Sequence, residues 1–347
     1  MQVYGRSCQE GNLVVRMKDI ARDLGISLMT VSKALRNHRD ISAETRIRVL
    51  KRAQQLDYQP NWVARSLVTG RTHMVGLVIP DLMHSFFAEV AKGVARMLEP
   101  RGYNVIISNS EEHARVEMRA IEALLARNVD GLIIASAQKN GRWLRRTMRT
   151  RGIPYVVIDR VLTGLEACYV GVDDAEIGAL ATRHLIEQGC RRIAHIRGPA
   201  ISTARGRLRG YRRALVEHGV KAQPEYVVGG QHQDSTGHEA MRQLLRLNPP
   251  PDGVFCYNDP VAAGAIKAVF EAGLSVPNDV AIIGAGNVHY FDLLRVPLST
   301  VDQGSSAIGE TAAKLIMQHM EAETSCRPKR MLIPVHLVVR ESSQRRC

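Results

Sequence analysis

Two stretches of this sequence hold residue types that could perform catalysis, and neither has the spacing that catalysis requires. Asp173 and Asp174 form an acidic pair after an apolar run, and paired carboxylates can act as general acid and base. A helix N-terminus also favours acidic side chains through its dipole, so we expect a structural role for the pair, although Asp173 could also line a cleft. Gly284 and Gly286 follow another apolar run, but His289 stands where a dinucleotide-binding loop needs its third glycine.

Other catalytic and metal-binding motifs are missing from the sequence. It contains no GxxxxGK[ST] phosphate loop, no HExxH zinc pair and no GxSxG nucleophile elbow. The six cysteines show neither CxxC pairing nor metal-ligand spacing, which indicates reduced thiols in a cytosolic protein. We therefore expect no enzymatic activity, no cofactor and no metal.

The N-terminus has no pattern that would direct the chain to a membrane. Residues 1–15 contain a single apolar run, Leu13 to Val15, which is too short for the core of a signal peptide. No apolar run elsewhere approaches the length that spans a bilayer. We expect residues 1–15 to be a disordered extension and the protein to be cytoplasmic, with no membrane partner.

The most informative stretch is KDIARDLGISLMTVSKAL, residues 18–35. Apolar residues recur at i, i+4 spacing on both sides of Gly25, which predicts two short helices around a turn. Gly25 can end the first helix in a left-handed conformation, and the Ser27 hydroxyl can cap the second. The pattern predicts a helix-turn-helix, whose second helix enters the DNA major groove; the alternative is a buried helical hairpin.

Charge and a third helix favour DNA binding over the hairpin. A further amphipathic pattern runs from Ser42 to about Leu56. Residues 1–70 hold twelve Lys and Arg against six Asp and Glu, a net charge of +6 out of +13 for the chain. A basic chain with a pI of about 9.8 favours a polyanionic partner.

The remainder of the chain alternates short apolar runs with longer amphipathic ones. Examples of the first kind are residues 75–79, 131–135 and 254–257, and examples of the second kind are 86–98 and 177–187. This alternation predicts parallel sheets with helices on both faces. So many strands exceed what a single sheet usually holds, so two Rossmann-like subdomains with a cleft between them fit the pattern better. Ligands of such sheets lie beyond the carboxyl ends of the strands.

These segments together resemble the LacI/GalR family of bacterial transcriptional regulators. The similarity begins at VRMKDIARDLGISLMTVSKALRNHRDISAETRIRVLKRAQQLDYQPNWVARSL and continues through VGLVIPD, NVDGLII, GVDDAEIGALATRHLIEQGCRRIAHI, GVFCYNDPVAAGA and LVVRESS. It implies an all-α helix-turn-helix headpiece at 16–60, a hinge helix and linker at 61–72, and an α/β periplasmic-binding-protein-like effector and dimerisation domain at 73–347. Within that domain it implies an N-subdomain of about 73–171 and 303–332 and a C-subdomain of about 172–302 and 333–347.

The resemblance also implies which residues contact DNA. In the family, two hinge helices of a dimer insert leucines into the minor groove, and by position Leu67 is that wedge here, although a plain linker is the alternative. Lys33 can donate to guanine, whereas Leu28 and Met29 can only contact thymine methyl groups or exclude other bases. The full set is Ser27, Leu28, Met29, Thr30, Ser32, Lys33, Asn37, Ser42, Thr45, Tyr58, Asn61, Ala64 and Leu67.

Effector-binding positions follow from the same resemblance. They are Phe86, Asp159, Arg207, His232, Asn258 and Gln303. Arg207 matches the arginine that clamps ligand hydroxyls or carboxylates. Gly286 stands where the family typically has an aspartate that binds sugar hydroxyls. Since this loss removes an acidic neighbour of Arg207, we expect the effector, a sugar, sugar acid or sugar phosphate, to be anionic rather than a neutral sugar.

The sequence thus predicts a ligand-responsive transcriptional repressor of carbohydrate or related catabolic genes. It is expected to bind a palindromic operator in double-stranded DNA as a homodimer, because the chain ends without the leucine heptads of tetrameric family members. The alternative from another functional class is a stand-alone solute-binding receptor. An arginine cluster between Arg142 and Arg151 is expected to be a solvated helix face.

Overall fold

A computed structural model describes residues 15–59, 66, 70–231, 233–322 and 327–345. The chain divides into two compact units, residues 1–72 and 73–347. No helix among these described residues is long and apolar enough to cross a membrane.

The described part of the smaller unit is a three-helix bundle. Its helices are Met17–Leu24, Leu28–Leu35 and Ala43–Gln55. Gly25 ends the first helix at φ +62°, as the sequence predicts. The hydroxyl of Ser27 accepts a hydrogen bond from the Thr30 backbone N–H at 3.0 Å. Each helix therefore ends or begins at a residue that satisfies its otherwise unpaired backbone groups.

Apolar side chains from all three helices close the core of this bundle. Ile20, Val31 and Val49 are fully buried, and Leu35 packs against them from the edge. The first helix has Arg16 at its N-cap position, and the Arg16 side chain makes no capping hydrogen bond. The Arg16 backbone N–H instead donates to the Asp19 carboxylate at 2.9 Å, so the cap forms in another way.

The larger unit alternates strands and helices. Its strands are β1 Met74–Ile79, β2 Asn104–Asn109, β3 Gly131–Ile134, β4 Tyr155–Ile158, β5 Cys168–Gly171, β6 Ile193–Arg197, β7 Val227–Gly229, β8 Gly253–Cys256, β9 Ala281–Gly286, β10 Ser299–Asp302, β11 Arg330–Leu332 and β12 His336–Val338. Its α-helices are Ser85–Leu98, Ala114–Ala126, Arg142–Arg151, Asp174–Glu187, Ser202–Glu217, Asp234–Leu245, Asp259–Glu271 and Ser305–Glu321.

The strands form two six-stranded sheets. The first has the order β11-β5-β4-β3-β1-β2 with every neighbouring pair parallel. The second has the order β12-β10-β9-β8-β6-β7, and only its β10–β12 pair is antiparallel. Two doubly wound sheets confirm the fold class predicted from the alternation. The sequence pattern did not reveal β5, β7, β10 and β11.

Helices pack in pairs that cover the sheets. Ser85–Leu98 lies against Ser305–Glu321, and Asp174–Glu187 lies against Ser202–Glu217. In the second pair a Cβ atom on Gly210 would lie 1.8 Å from the Ala175 carbonyl oxygen, so only glycine permits this approach. The close contact brings side chains near the start of one helix within reach of the other.

Candidate functional site

The second helix of the bundle presents an exposed surface suited to DNA. Leu28 is 51% exposed and Met29 is 62% exposed, although both are apolar. Ser32 and Lys33 lie half-buried beside them, and the Lys33 ammonium lies 3.2 Å from the Asp40 carboxylate. Exposed apolar groups can contact thymine methyl groups, and an ammonium can donate to guanine, so the surface combines both kinds of base contact.

The other predicted DNA contacts lie around this helix or outside the described residues. Asn37 is exposed at φ +56°. The hydroxyl of Ser42 accepts from the Thr45 backbone N–H at 3.2 Å and thereby caps the third helix. Tyr58 packs against the bundle core, and burial raises its pKa. The predicted contacts Asn61, Ala64 and Leu67 lie outside the described residues.

In the larger unit, a cleft forms where loops at the carboxyl ends of strands from both sheets meet. Loops after β1, β2 and β4 contribute from the first sheet, and loops after β6, β8 and β10 contribute from the second. The lining residues are Asp81, His84, Phe86, Phe87, Glu112, Asp159, Arg160, Pro199, Ile201, Arg207, Tyr257, Asn258 and Gln303. The space left between them is about 40 Å³, enough for one or two water molecules, so a sugar would enter only after side chains or subdomains move.

Arg207 lies in this cleft with its guanidinium fully engaged. It is 3% exposed, and its Nε donates to Asp174 Oδ1 at 3.1 Å. Its two terminal nitrogens donate to the Tyr257 carbonyl oxygen and to Gln303 Oε1. Burial raises the pKa of Asp174 to about 6 even though this guanidinium opposes the change. Although position 286 supplies no aspartate, Arg207 thus has an acidic neighbour, which comes from the start of the adjacent helix.

Arg160 is a second arginine of the cleft whose guanidinium is paired with carboxylates. Its two terminal nitrogens both donate to the Glu112 carboxylate, and its Nε lies 3.5 Å from Asp159 Oδ2. Burial raises the pKa of Asp159, although the guanidiniums of Arg160 and Arg207 lower it. Neither arginine is left to attract a ligand anion without first breaking an internal ion pair.

Asn258 joins the two sides of the cleft. Its Oδ1 accepts from the Val261 backbone N–H at 3.0 Å and so caps the helix Asp259–Glu271. Its Nδ2 lies 3.1 Å from His84 Nε2, which belongs to the loop after β1. The cap fixes the amide where a ligand arriving in the cleft would meet it.

Gly286 has a structural reason to be glycine. Its φ is +146°, and a Cβ atom there would lie 3.1 Å from Asp259 Oδ2. Asp259 is fully buried, accepts from the Val288 N–H and the Thr300 hydroxyl, and burial raises its pKa to about 6. A carboxylate is thus already present beside position 286, supplied by a neighbouring helix.

The cleft brings together five of the six predicted effector positions. Phe86, Asp159, Arg207, Asn258 and Gln303 line it, whereas His232 lies outside the described residues. Phe86 and Phe87 are buried with their ring centroids 5.0 Å apart.

The sequence analysis did not identify several residues at the cleft. These are His84, Glu112, Arg160, Asp174 and Tyr257. The acidic pair at 173–174 was a signal in the sequence, and both residues do lie at a helix start. Asp173 accepts from the backbone N–H of Ala175 at 2.9 Å, whereas Asp174 pairs with Arg207. No cluster of metal-ligating side chains occurs among the described residues.

Comparison with protein families gives two matches that together cover most of the chain. Residues 16–61 match the family of bacterial regulatory proteins, lacI family. Residues 72–341 match the periplasmic binding proteins and sugar binding domain of LacI family.

Individual relatives match over nearly their whole length. The chain is 32% identical to the HTH-type transcriptional repressor PurR of Pasteurella multocida (strain Pm70), covering 95% of this chain and 99% of the relative. It is also 32% identical to the ribose operon repressor of Escherichia coli (strain K12), and the match covers 92% of this chain and 97% of the relative.

A solved structure of the lac repressor dimer bound to operator and the anti-inducer ONPF superimposes with a TM-score of 0.85 at 25% identity, covering 95% of this chain and 99% of that one. The described helix-turn-helix, the two doubly wound sheets and these matches lead to one assignment. The chain belongs to the LacI family of bacterial regulatory proteins, which are DNA-binding transcriptional regulators with an effector-binding domain.

Proposed function

We propose that this protein is a cytoplasmic repressor that binds a palindromic operator as a homodimer and responds to a small effector in the cleft of its larger unit. One observation carries the proposal: a single chain holds both an exposed recognition helix and a cleft lined by polar side chains from two sheets. We assign the headpiece to residues 16–60, the hinge to 61–72 and the effector domain to 73–347. No catalytic role is proposed for any residue.

Lys33 is proposed to read a base pair in each half-site. Its ammonium already lies 3.2 Å from the exposed Asp40 carboxylate, and a guanine would replace that weak surface partner. Leu28 and Met29 precede it on the same exposed helix and add contacts that depend on thymine.

Substitution of Lys33 tests this role. An operator is first selected from random duplexes by the full chain, and each base pair is then varied singly. Lys33→Ala should relax preference at one base pair per half-site and weaken binding there by roughly 1–3 kcal/mol. Asp40→Asn is the matched control, because it frees the ammonium without removing it. If Lys33→Ala weakens binding equally for all duplex sequences, Lys33 contacts only the phosphate backbone.

We propose a neutral, hydroxyl-rich effector, which reverses the expectation from sequence. Both cleft guanidiniums are held by carboxylates, and Asp81, Glu112 and Asp159 line the space. Carboxylates accept hydrogen bonds from hydroxyl groups and repel anions. A sugar is consistent with relatives: one solved structure, similar at 30% identity, is the transcriptional regulator CelR–cellobiose complex.

Calorimetry on the full chain would test the effector class. Neutral mono- and disaccharides are titrated at pH 7.5 beside the matching sugar acids and sugar phosphates. We expect heat from at least one neutral sugar and none from its acid. Binding of an acid with no neutral sugar bound would contradict the proposal.

The alternative function, a stand-alone solute receptor, makes a different prediction for DNA. Such a receptor would bind its sugar but retain no duplex in the operator selection. Selection of a palindrome by the full chain, with release when the sugar is added, would exclude it.

A further inference from the structure

The two arginines of the cleft are held in different ways. Arg207 donates to three acceptors, which belong to three different segments of the chain. Both terminal nitrogens of Arg160 donate to a single carboxylate, that of Glu112, at 2.6 and 2.5 Å. The Arg207 guanidinium is therefore fixed by the surrounding fold, whereas the terminal nitrogens of Arg160 depend mainly on one side chain.

The Glu112–Arg160 pair lies at the carboxyl ends of the strands of the first sheet. Glu112 is in the loop after β2, and Arg160 follows β4. In the sheet β3 and β1 lie between these two strands, and a terminal nitrogen of Arg160 also lies 3.4 Å from the Ser136 carbonyl oxygen, just after β3. Ligands of doubly wound sheets bind beyond this end of the strands, so the pair lies where an effector is expected. Because both partners belong to the first sheet, their contact does not depend on how the two sheets close around the cleft.

The loop that carries Glu112 has an unusual backbone. Glu111 and Glu112 have φ values of +49° and +60°, in the left-handed region that is unfavourable for residues other than glycine. The Glu112 backbone N–H donates to the Pro80 carbonyl oxygen at 2.9 Å and so holds this conformation against β1. The Glu112 side chain is 27% exposed and that of Arg160 is 7% exposed. Glu112 therefore covers the guanidinium on its more exposed side.

The charge of Glu112 decides the net charge of the cleft. The described lining holds three carboxylates, those of Asp81, Glu112 and Asp159, and two guanidiniums, so its formal charge is −1 with His84 neutral. Without the Glu112 charge the lining is neutral, and the terminal nitrogens of Arg160 lose their carboxylate partner. A guanidinium in that state can bind a carboxylate or a phosphate through two parallel hydrogen bonds.

We propose that Glu112 determines the charge of the effector, because it occupies the Arg160 guanidinium as an internal anion and thereby excludes carboxylates and phosphates. The inference rests on the effector binding proposed above and assigns its selectivity to one side chain. A neutral sugar needs no anion site, since its hydroxyl groups can donate to the same Glu112 carboxylate. A sugar acid would have to displace Glu112, which its own loop holds in place, and to enter a cleft of net negative charge.

The experiment is calorimetry on the full chain at pH 7.5. The neutral probes are glucose, galactose, ribose and cellobiose, and the anionic probes are glucuronate, galacturonate, ribose 5-phosphate and cellobionate. The test variant is Glu112→Gln, which keeps the size of the side chain and removes its charge. The matched control is Glu111→Gln, because Glu111 is adjacent, exposed, also at positive φ and outside the described cleft lining, so that solvent screens the same change in charge.

At least one anionic probe should bind Glu112→Gln roughly ten- to hundred-fold more tightly than it binds the wild type or the control, as expected for hydrogen bonds to a charged group. Adding Arg160→Gln to Glu112→Gln should abolish this gain, which a merely structural role of Glu112 would not predict. Glu112→Asp is a second test variant, which keeps Arg160 neutralised in the fold but shortens the side chain by one methylene. It should show a smaller gain, so the inference remains testable if Glu112→Gln does not fold.

The absence of any gain for the anionic probes in both Glu112 variants would overturn the inference. An equal gain in Glu111→Gln would do the same, as would a wild type that binds an anionic probe as tightly as Glu112→Gln does. The wild-type titrations with the neutral probes are read separately. If none of these sugars binds the wild type, the proposed effector class is overturned instead.

Discussion

The Arg207–Asp174 pair makes a sharp prediction about stability. Arg207→Gln removes the guanidinium from three hydrogen-bond acceptors and leaves the Asp174 carboxylate, whose side chain is 12% exposed, without its cation. Breaking a buried pair from one side typically lowers the free energy of unfolding by about 3–5 kcal/mol, because an uncompensated charge stays behind. We expect a loss near the lower end, since a carboxyl whose pKa is already about 6 can accept a proton.

The control lies on the same two helices. Arg213 donates to Glu176 at 2.8 Å, but the two side chains are 46% and 38% exposed. Because solvent screens this pair, Arg213→Gln should change the free energy of unfolding by less than about 1 kcal/mol. Comparing Arg207→Gln with Arg213→Gln therefore shows how much of the loss in stability is due to burial of the ion pair.

Urea unfolding of both variants at pH 8 and pH 5.5 measures the effect. The Arg207→Gln loss should shrink by about 1–2 kcal/mol at the lower pH, where Asp174 is protonated more easily. Adding Asp174→Asn to Arg207→Gln should recover stability, with a coupling energy of about 2 kcal/mol. Additive losses, or a loss that does not change with pH, would refute the reasoning.

Two further predictions concern Asp259 and Gly286. Burial raises the pKa of Asp259 from 3.8 to about 6, so its protonation stabilises the fold fully below about pH 4, and this contribution is lost as the pH rises through 6. The free energy of unfolding of the wild type, measured in urea, should therefore fall by up to about 3 kcal/mol over this range, and that of Asp259→Asn should not. Parallel pH curves for the two proteins would contradict this. Gly286→Asp should lower the free energy of unfolding by about 2–3 kcal/mol and improve no sugar's binding, because φ is +146° and the new carboxylate meets that of Asp259. Gly286→Ala shares the backbone strain and the close Cβ contact but adds no charge, so its loss should be smaller; an unchanged unfolding curve for Gly286→Asp would disprove this.

Local patterns predicted the helix-turn-helix almost completely. Gly25 and Ser27 fix the ends of two helices through interactions within four residues, and the periodic apolar positions Ile20 and Val31 fix their buried face. Such short-range determinants are visible in a sequence.

The electrostatics of the cleft depended on contacts between distant residues, which the sequence did not reveal. The Arg207 guanidinium is neutralised by a residue 33 positions earlier, and Arg160 by Glu112, 48 positions earlier. Counting the missing aspartate at 286 alone therefore left out the two carboxylates that pair with these guanidiniums. Glu112, in a loop at φ +60°, has no local pattern that predicts its pairing.

The first sheet also has a consequence for how the protein is made. Its edge strand Arg330–Leu332 and the covering helix Ser305–Glu321 come after every strand of the second sheet except the last. Because the ribosome synthesises the chain from its N-terminus, the first sheet remains incomplete while most of the second sheet is synthesised. The helix-turn-helix, whose three helices are contiguous, can fold long before either sheet is complete. During synthesis the edge of β5 that pairs with β11 lacks its partner for about 160 residues of elongation, from Gly171 to Arg330, and an unpaired strand edge favours aggregation.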